Sequence, residues 1–152
     1  MNNKFQISQK GFNLIELLVV MAILGIFALT SFALLNPANQ LRKARDSRRK
    51  TDLAQLQATF ELYRSDQGSY PTSLPACGTP LSVSETTYIK SVPCDPNNRS
   101  PYIYTYTPSG GGSPTSYSLI ACFENVSDPQ KDAVNVSPCD GINNSSYTVT
   151  NP

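Results

Sequence analysis

A single glutamate, Glu16, stands near the start of an apolar run from Phe12 to Leu35, the one charged residue among 24. A carboxylate at the centre of a membrane helix costs about 2.5–3.5 kcal/mol, and less towards the helix end. Its chemistry in such a place is to take an opposite charge or to sit at the positive end of the helix dipole. The other reactive set is Cys77, Cys94, Cys122 and Cys139, all in the second half of the chain. An even count points to disulfides and to a compartment outside the cytoplasm. Four cysteines allow three connectivities, and the sequence does not choose strictly among them. The sequential pairing, Cys77–Cys94 with Cys122–Cys139, closes two equal spans and is the one expected. Without a C-x-x-C or any histidine, metal ligation through sulfur is not expected. The same lack removes a histidine-based triad and a Cys–His pair. There is no G-x-S-x-G, no P-loop and no dinucleotide fingerprint, and the carboxylates of the second half are scattered singly. The chain does not read as an enzyme.

These groups need elements to hold them. At 1.5 Å per residue the run from Phe12 to Leu35 makes a helix of roughly 36 Å, enough for a hydrocarbon core of about 30 Å. Pro37 can start a helical segment or kink a continuing one. Beyond it, Leu41, Ala44, Leu53, Leu56, Phe60 and Tyr63 form a partly periodic apolar stripe, best between Leu53 and Tyr63. Gly68 and Pro71 end it. The reading is one long helix from about Asn13 to Asp66, apolar all round in its first half and amphipathic in its second.

After Pro71 the pattern changes to short β-branched and aromatic segments bounded by Pro, Gly, Asn and Ser. They are TTYIKSV (86–92), YIYTYT (102–107), YSLIACF (117–123) and SYTVT (146–150). Tyr102, Tyr104 and Tyr106 should share one strand face, and PSGGGSPTS (108–116) should close a hairpin.

Charge is segregated along the chain. Residues 36–64 carry seven Lys or Arg against three acids, and residues 65–152 carry three against seven, so +4 faces −4. The cluster LRKARDSRRK, residues 41–50, is more basic than the N-terminal stretch, and the positive-inside rule alone would place it in the cytoplasm. The cysteines argue the opposite. The cluster reads as a solvated helix face, as an interface to the acidic head of a neighbouring subunit, or as a site for nucleic acid or anionic lipid. No aromatic residue interleaves with its bases, so nucleic acid is not an expected partner.

The block KGFNLIELLVVMAILGIFA closely resembles the N-terminus of type IV prepilins and type II secretion pseudopilins. The resemblance implies that a prepilin peptidase cuts after Gly11, that Phe12 becomes an N-methylated N-terminus, and that Glu16 pairs with the free amine of a neighbouring subunit during assembly. Two buried opposite charges satisfy each other where either alone is strongly unfavourable, so Glu16 would set register. A second stretch, YIKSVPCDPNNRSPYIY (88–104), resembles the pseudopilin segment at Pro93, Asp95, Pro96, Pro101 and Tyr102. Asn97-Asn98 replaces the Trp-Gly common there, and the cysteines are closer to disulfide-bearing pilins. The resemblance is strong over 9–35, fair over 41–71 and 88–123, and weak beyond. Major pseudopilins often bind calcium in a C-terminal loop, which makes Asp128, Asp132 and Asp140 candidate ligands, although no EF-hand spacing is present.

The expected organisation is a cleaved leader (1–11), an apolar membrane or filament-core helix (12–35), its amphipathic continuation (36–66) and a β-rich head (67–152). The fold class is α+β and type IV pilin-like: a long N-terminal helix packed on a small antiparallel sheet with two disulfides. The expected function is a structural subunit of a pilus or secretion pseudopilus. Its leader would lie in the cytoplasm and its head outside, first in the inner membrane and then in a filament. Its partners would be copies of itself, other pilin-like subunits, the prepilin peptidase and an inner-membrane assembly platform, with no cofactor beyond the calcium just named. The rival reading is a secreted or anchored binding domain with an ordinary signal. SFA at residues 31–33 would then be the cleavage site and Leu34 the new N-terminus, but the apolar stretch is longer than a usual signal core of about 7–15 residues.

Overall fold

A computed structural model describes residues 11–34, 36–141 and 143–152. The chain divides into two compact units, residues 1–37 and 38–152. The expected leader lies outside the described residues except for Gly11.

In the first unit, helix α1 spans Leu14–Leu34. The Asn13 carbonyl accepts the amides of Glu16 at 3.0 Å and Leu17 at 3.2 Å, so Asn13 starts the helix, as asparagine at an N-cap does. Over Leu14–Ser31 the mean hydropathy is 2.4 and no residue is buried inside the chain. Thr30 and Ser31 return their hydroxyls to the carbonyls of Ile26 and Phe27, which hides two polar groups within an apolar helix.

Helix α2 spans Pro37–Gln67. The helical run is therefore divided, with Asn36 at φ 37° and Pro37, which has no N–H to donate, as the first residue of α2. Gly68 ends it at φ 77°, its amide on the Arg64 carbonyl at 2.8 Å. The buried face of α2 is Asp46, Arg49, Leu53, Leu56 and Phe60, alternating steps of three and four residues. The expected apolar stripe holds only in its C-terminal half. Leu41 is 61% exposed, and charged residues occupy the buried positions towards the N-terminus.

The head carries five strands: β1 (Leu81–Val83), β2 (Thr86–Ile89), β3 (Thr105–Ser109), β4 (Ser116–Phe123) and β5 (Ser145–Thr150). β1 and β2 form an antiparallel hairpin, while the second sheet is antiparallel in the order β3-β4-β5. Leu53, Leu56 and Phe60 pack with Tyr117, Leu119 and Ala121 of β4 and with Tyr70, Leu81, Ile89 and Val92. Each fully buried large side chain here stabilises the fold by about 1.5–3 kcal/mol. Phe60 meets Tyr117 edge-on at 5.1 Å and Tyr106 at 4.9 Å. On the opposite face of β4, Ile120 and Cys122 pack with Cys139 and Tyr102. The disulfides are Cys77–Cys94 and Cys122–Cys139, the pairing with equal spans.

Three strand expectations need correction. β1 was not foreseen; the turn at Ser84, φ 52°, pairs it with β2. β3 begins at Thr105 rather than Tyr102 and runs through Pro108, which an edge strand tolerates. Tyr102, Tyr104 and Tyr106 consequently do not share a face: Tyr102 forms an isolated bridge with Arg99 and packs beside the Cys122–Cys139 bond, while the other two join the main core.

The two edges of the three-stranded sheet differ. At β5 the outward amides of Ser146 and Thr148 are taken by Asn135 Oδ1 (3.2 Å) and Asp132 Oδ1 (3.1 Å). The outward carbonyls of Ser146 and Thr150 accept from the Asp132 amide (2.9 Å) and Gln57 Nε2 (2.9 Å). At β3, Pro108 lies opposite Tyr117, whose amide turns to Asn151 Oδ1 at 3.4 Å. Pro108–Tyr117 is thus a non-hydrogen-bonded pair, and by the alternation of an antiparallel ladder so is Tyr106–Leu119. The N–H and C=O of Tyr106 therefore point off the sheet. Among the described residues no group meets them.

Candidate functional site

Two regions hold the residues that the sequence singled out, one in each unit. In the first, Gly11, Phe12 and Glu16 are all exposed, Phe12 at 81%. The helix start fixes Glu16 in the first turn of α1. Among the described residues its carboxylate has no ion pair, and the apolar side chains from Leu14 to Leu29 that surround it are exposed. A helix carboxylate with no partner among the described residues is available to a charge brought by another molecule.

In the second region the basic cluster folds onto the acids of its own head. Arg49 is fully buried. Its Nε donates to Asp95 Oδ2 at 2.7 Å and its Nη2 to Asp95 Oδ1 at 2.9 Å, a two-pronged contact that only a planar guanidinium makes. Its Nη1 serves Asp46 Oδ1 at 2.7 Å and Glu124 Oε1 at 3.0 Å, and its Cζ lies 4.9 Å from the Tyr102 ring centre. Arg45 reaches both oxygens of Glu124, its Nε 2.7 Å from Oε1, and Asn97 Nδ2 adds a third donor at 2.9 Å. Asp46 in turn accepts the amides of Glu124 (3.0 Å) and Asn125 (2.8 Å). Lys50 binds both oxygens of Asp128 at 2.8 and 2.9 Å. The Tyr104 hydroxyl donates to Asp52 at 2.7 Å.

Burial pulls the Arg49 guanidinium down; its bonds to Asp95 and Asp46 outweigh this and hold it above its usual range. Glu124 is pulled down to about 2, first by the hydrogen bond from Arg45, against burial, and further by Arg49. Asp128 is also lowered: burial acts against its charge, and Lys50 with the Gln130 amide outweighs it. Burial is the larger cause that raises the Tyr104 phenol, and the hydrogen bond to Asp52 adds to it.

The cluster is therefore neither a wholly solvated face nor an interface to a neighbour's acids at these positions. Arg45, Arg49 and Lys50 are matched within the chain. The Arg49 site escapes all three readings of the cluster, because each of them turns its charges away from the chain's own core. The available signal was spacing: positions 46 and 49 continue the 53, 56, 60 stripe by one turn.

The candidate calcium ligands are not brought together. Asp128 holds Lys50, Asp132 holds Thr148 Oγ1 at 2.7 Å, and Asp140 is exposed. Among the described residues no group of three possible metal ligands occurs.

An apolar N-terminal helix that begins at a glycine–phenylalanine junction, followed by an α+β head, defines the class of pilin-like subunits. The prokaryotic N-terminal methylation motif matches residues 7–32. The family described as type II secretion system (T2SS), protein G, matches residues 36–122, more than half of the chain, and the chain belongs to it. Similar proteins carry the name type II secretion system core protein G. The one from Vibrio cholerae is 35% identical over 97 residues, covering 58% of this chain and 65% of that protein. Those from Dickeya chrysanthemi and Escherichia coli are 30% identical over 98 residues and 33% over 98, covering 63% and 66% of their lengths. The chain thus spans a little under two thirds of these relatives. No solved structure matches it significantly. The family match ends at Cys122, so β5 and the loop closed by Cys122–Cys139 lie beyond it.

Proposed function

We propose that the chain is a structural subunit that polymerises into a type II secretion pseudopilus. The observation that carries this reading is α1, whose 18-residue span from Leu14 to Ser31 is entirely unburied within the chain and holds a single charge at its start. Such a surface requires hydrocarbon, or copies of itself, to cover it. Cleavage after Gly11 creates an ammonium at Phe12, and methylation follows on that nitrogen. The subunit first sits in the inner membrane with its disulfide-bonded head outside the cytoplasm. It then passes, through an assembly platform, into a filament with other pseudopilins. Glu16 meets the Phe12 ammonium of a neighbour, and because each charge is costly unpaired, the pair selects one register. The role is mechanical and not catalytic.

The test is the N-terminal residue and mass of the protein recovered from its native cells without reductant. A chain that starts at Phe12 with one added methyl and two intact disulfides is the expected result. A chain that starts at Leu34 makes the protein an exported domain and ends the filament reading.

A further inference from the structure

The two edges of the β3-β4-β5 sheet carry complementary features. Along the outer edge of β5, the exposed Asn135 bridges the loop to the strand, with Oδ1 on the Ser146 amide and Nδ2 on the Asn144 carbonyl at 3.4 Å. Its neighbours on either side, Val134 and Val136, face solvent at 80% and 43% exposure. Two apolar side chains two residues apart in an irregular stretch form an apolar tooth that nothing among the described residues covers.

Along the outer edge of β3 lies an open groove of about 530 Å³, walled by Leu74, Pro75, Pro93, Ile103, Tyr106 and Pro108. Its one carboxylate, Asp95, is fully occupied by Arg49. The Tyr106 hydroxyl is turned away to the Pro71 carbonyl at 2.7 Å. What the groove offers is a largely apolar wall, with Thr72, Ser73, Asn98 and Thr105 as uncharged polar lining, and the unmet N–H and C=O of Tyr106. This is the combination that receives an extended segment by strand addition, with backbone bonds to the edge and alternate side chains in the trough.

We propose that the β3 groove of one copy receives the Val134–Val136 segment of the next. The occupant is a second copy because this chain itself presents the matching segment at the opposite edge of the same sheet. Both surfaces are also uncharged at the contact, so neither needs an oppositely charged partner. Tooth and groove lie on different edges, so the contact is heterologous and propagates instead of closing into a two-fold dimer. The inference rests on the filament reading above and adds to it a specific contact between heads.

The experiment is photo-crosslinking in the native cells, with Val134 of the full-length chain replaced by p-benzoylphenylalanine. The expected product is a copy-to-copy adduct whose cross-linked peptide maps to residues 72–77 or 103–108. Val134→Asp with Val136→Asp should lower sheared filament yield at least tenfold while both disulfides and the melting curve stay as in the parent. Ile103→Lys in the same chain should restore much of the yield. Filaments whose adducts map elsewhere on the neighbour overturn the contact and leave the pseudopilus reading intact. No adduct and no filament from the parent chain overturn both.

Discussion

Arg49 and Asp95, 46 residues apart in sequence, face each other with two parallel hydrogen bonds of 2.7 and 2.9 Å, and both side chains are fully buried. This pair joins α2 to the loop after Cys94, and through Asp46 and Glu124 it joins the same helix to the end of β4. A buried ion pair adds little compared with a well-packed apolar replacement, but removing one partner leaves an uncompensated charge.

Replacing Arg49 by Ala should therefore cost about 3–5 kcal/mol, because three carboxylates lose their shared donor. Arg49→Lys should recover only part of this, since an ammonium cannot span both Asp95 oxygens. Denaturant unfolding of the full chain in detergent measures both. Parent-like stability of Arg49→Lys would show that the two-pronged geometry at Asp95 contributes nothing.

Stability should fall in acid through Glu124. Its carboxyl drops from 4.5 to about 2 on folding, so its contribution is complete above about pH 4.5 and drains as the pH falls through 2. The total is on the order of 3 kcal/mol. Glu124→Gln should lower stability at pH 6 and flatten the slope between pH 5 and 2. An unchanged slope would assign acid sensitivity to other groups.

The two disulfides close spans of equal length, 17 residues each, so their effects on the unfolded chain are equal, about 3 kcal/mol. Their loops do different work. The span from Cys122 to Cys139 holds Glu124 and Asp128 on α2, and Asp132 and Asn135 on the β5 edge. Replacing Cys122 and Cys139 by Ser should lower the melting temperature more than replacing Cys77 and Cys94, and the excess should show as faster hydrogen exchange in β5. Equal losses would mean that the loop keeps its contacts without the bond.

For Glu16 the prediction concerns assembly and not folding. Glu16→Ala and Glu16→Gln should each reduce filaments at least tenfold, leaving methylated subunit in the membrane fraction. Glu16→Asp should retain part of the yield. Wild-type filament levels in Glu16→Gln would show that the charge has no partner at Phe12.

Much of the architecture was legible because its signals are strong. The apolar run, the Gly68 stop, the strands around Ser118 and Thr148 and the equal cysteine spans each rest on residue types with few alternatives. What escaped was set by tertiary contact. β1 is three residues long and exists because Ser84 turns it onto β2. Tyr104 is drawn out of the expected strand by Asp52, a residue 52 positions earlier. Arg49 is of a residue type usually found at the surface, and Asp95 and Glu124 from distant segments, with Asp46 one turn away, make it a core one. The groove beside Tyr106 depended on knowing which amides of β3 point outwards, which Pro108 decides only once its pairing with Tyr117 is known.

Residues 38–152 contain ten basic and ten acidic side chains. Arg45, Arg49 and Lys50 meet their acids at contact distance, so part of that charge cancels locally. With ten of each sign the head has no net charge, and beyond a Debye length of about 8 Å its individual exposed charges are screened. Two such heads are not steered together from afar, and unsteered protein encounters run at about 10⁵–10⁶ M⁻¹s⁻¹. Confinement of α1 to a two-dimensional sheet of lipid would supply the encounter frequency that the head's own field does not. Growth of the polymer would then respond to how densely subunits crowd the bilayer far more than to the salt around them.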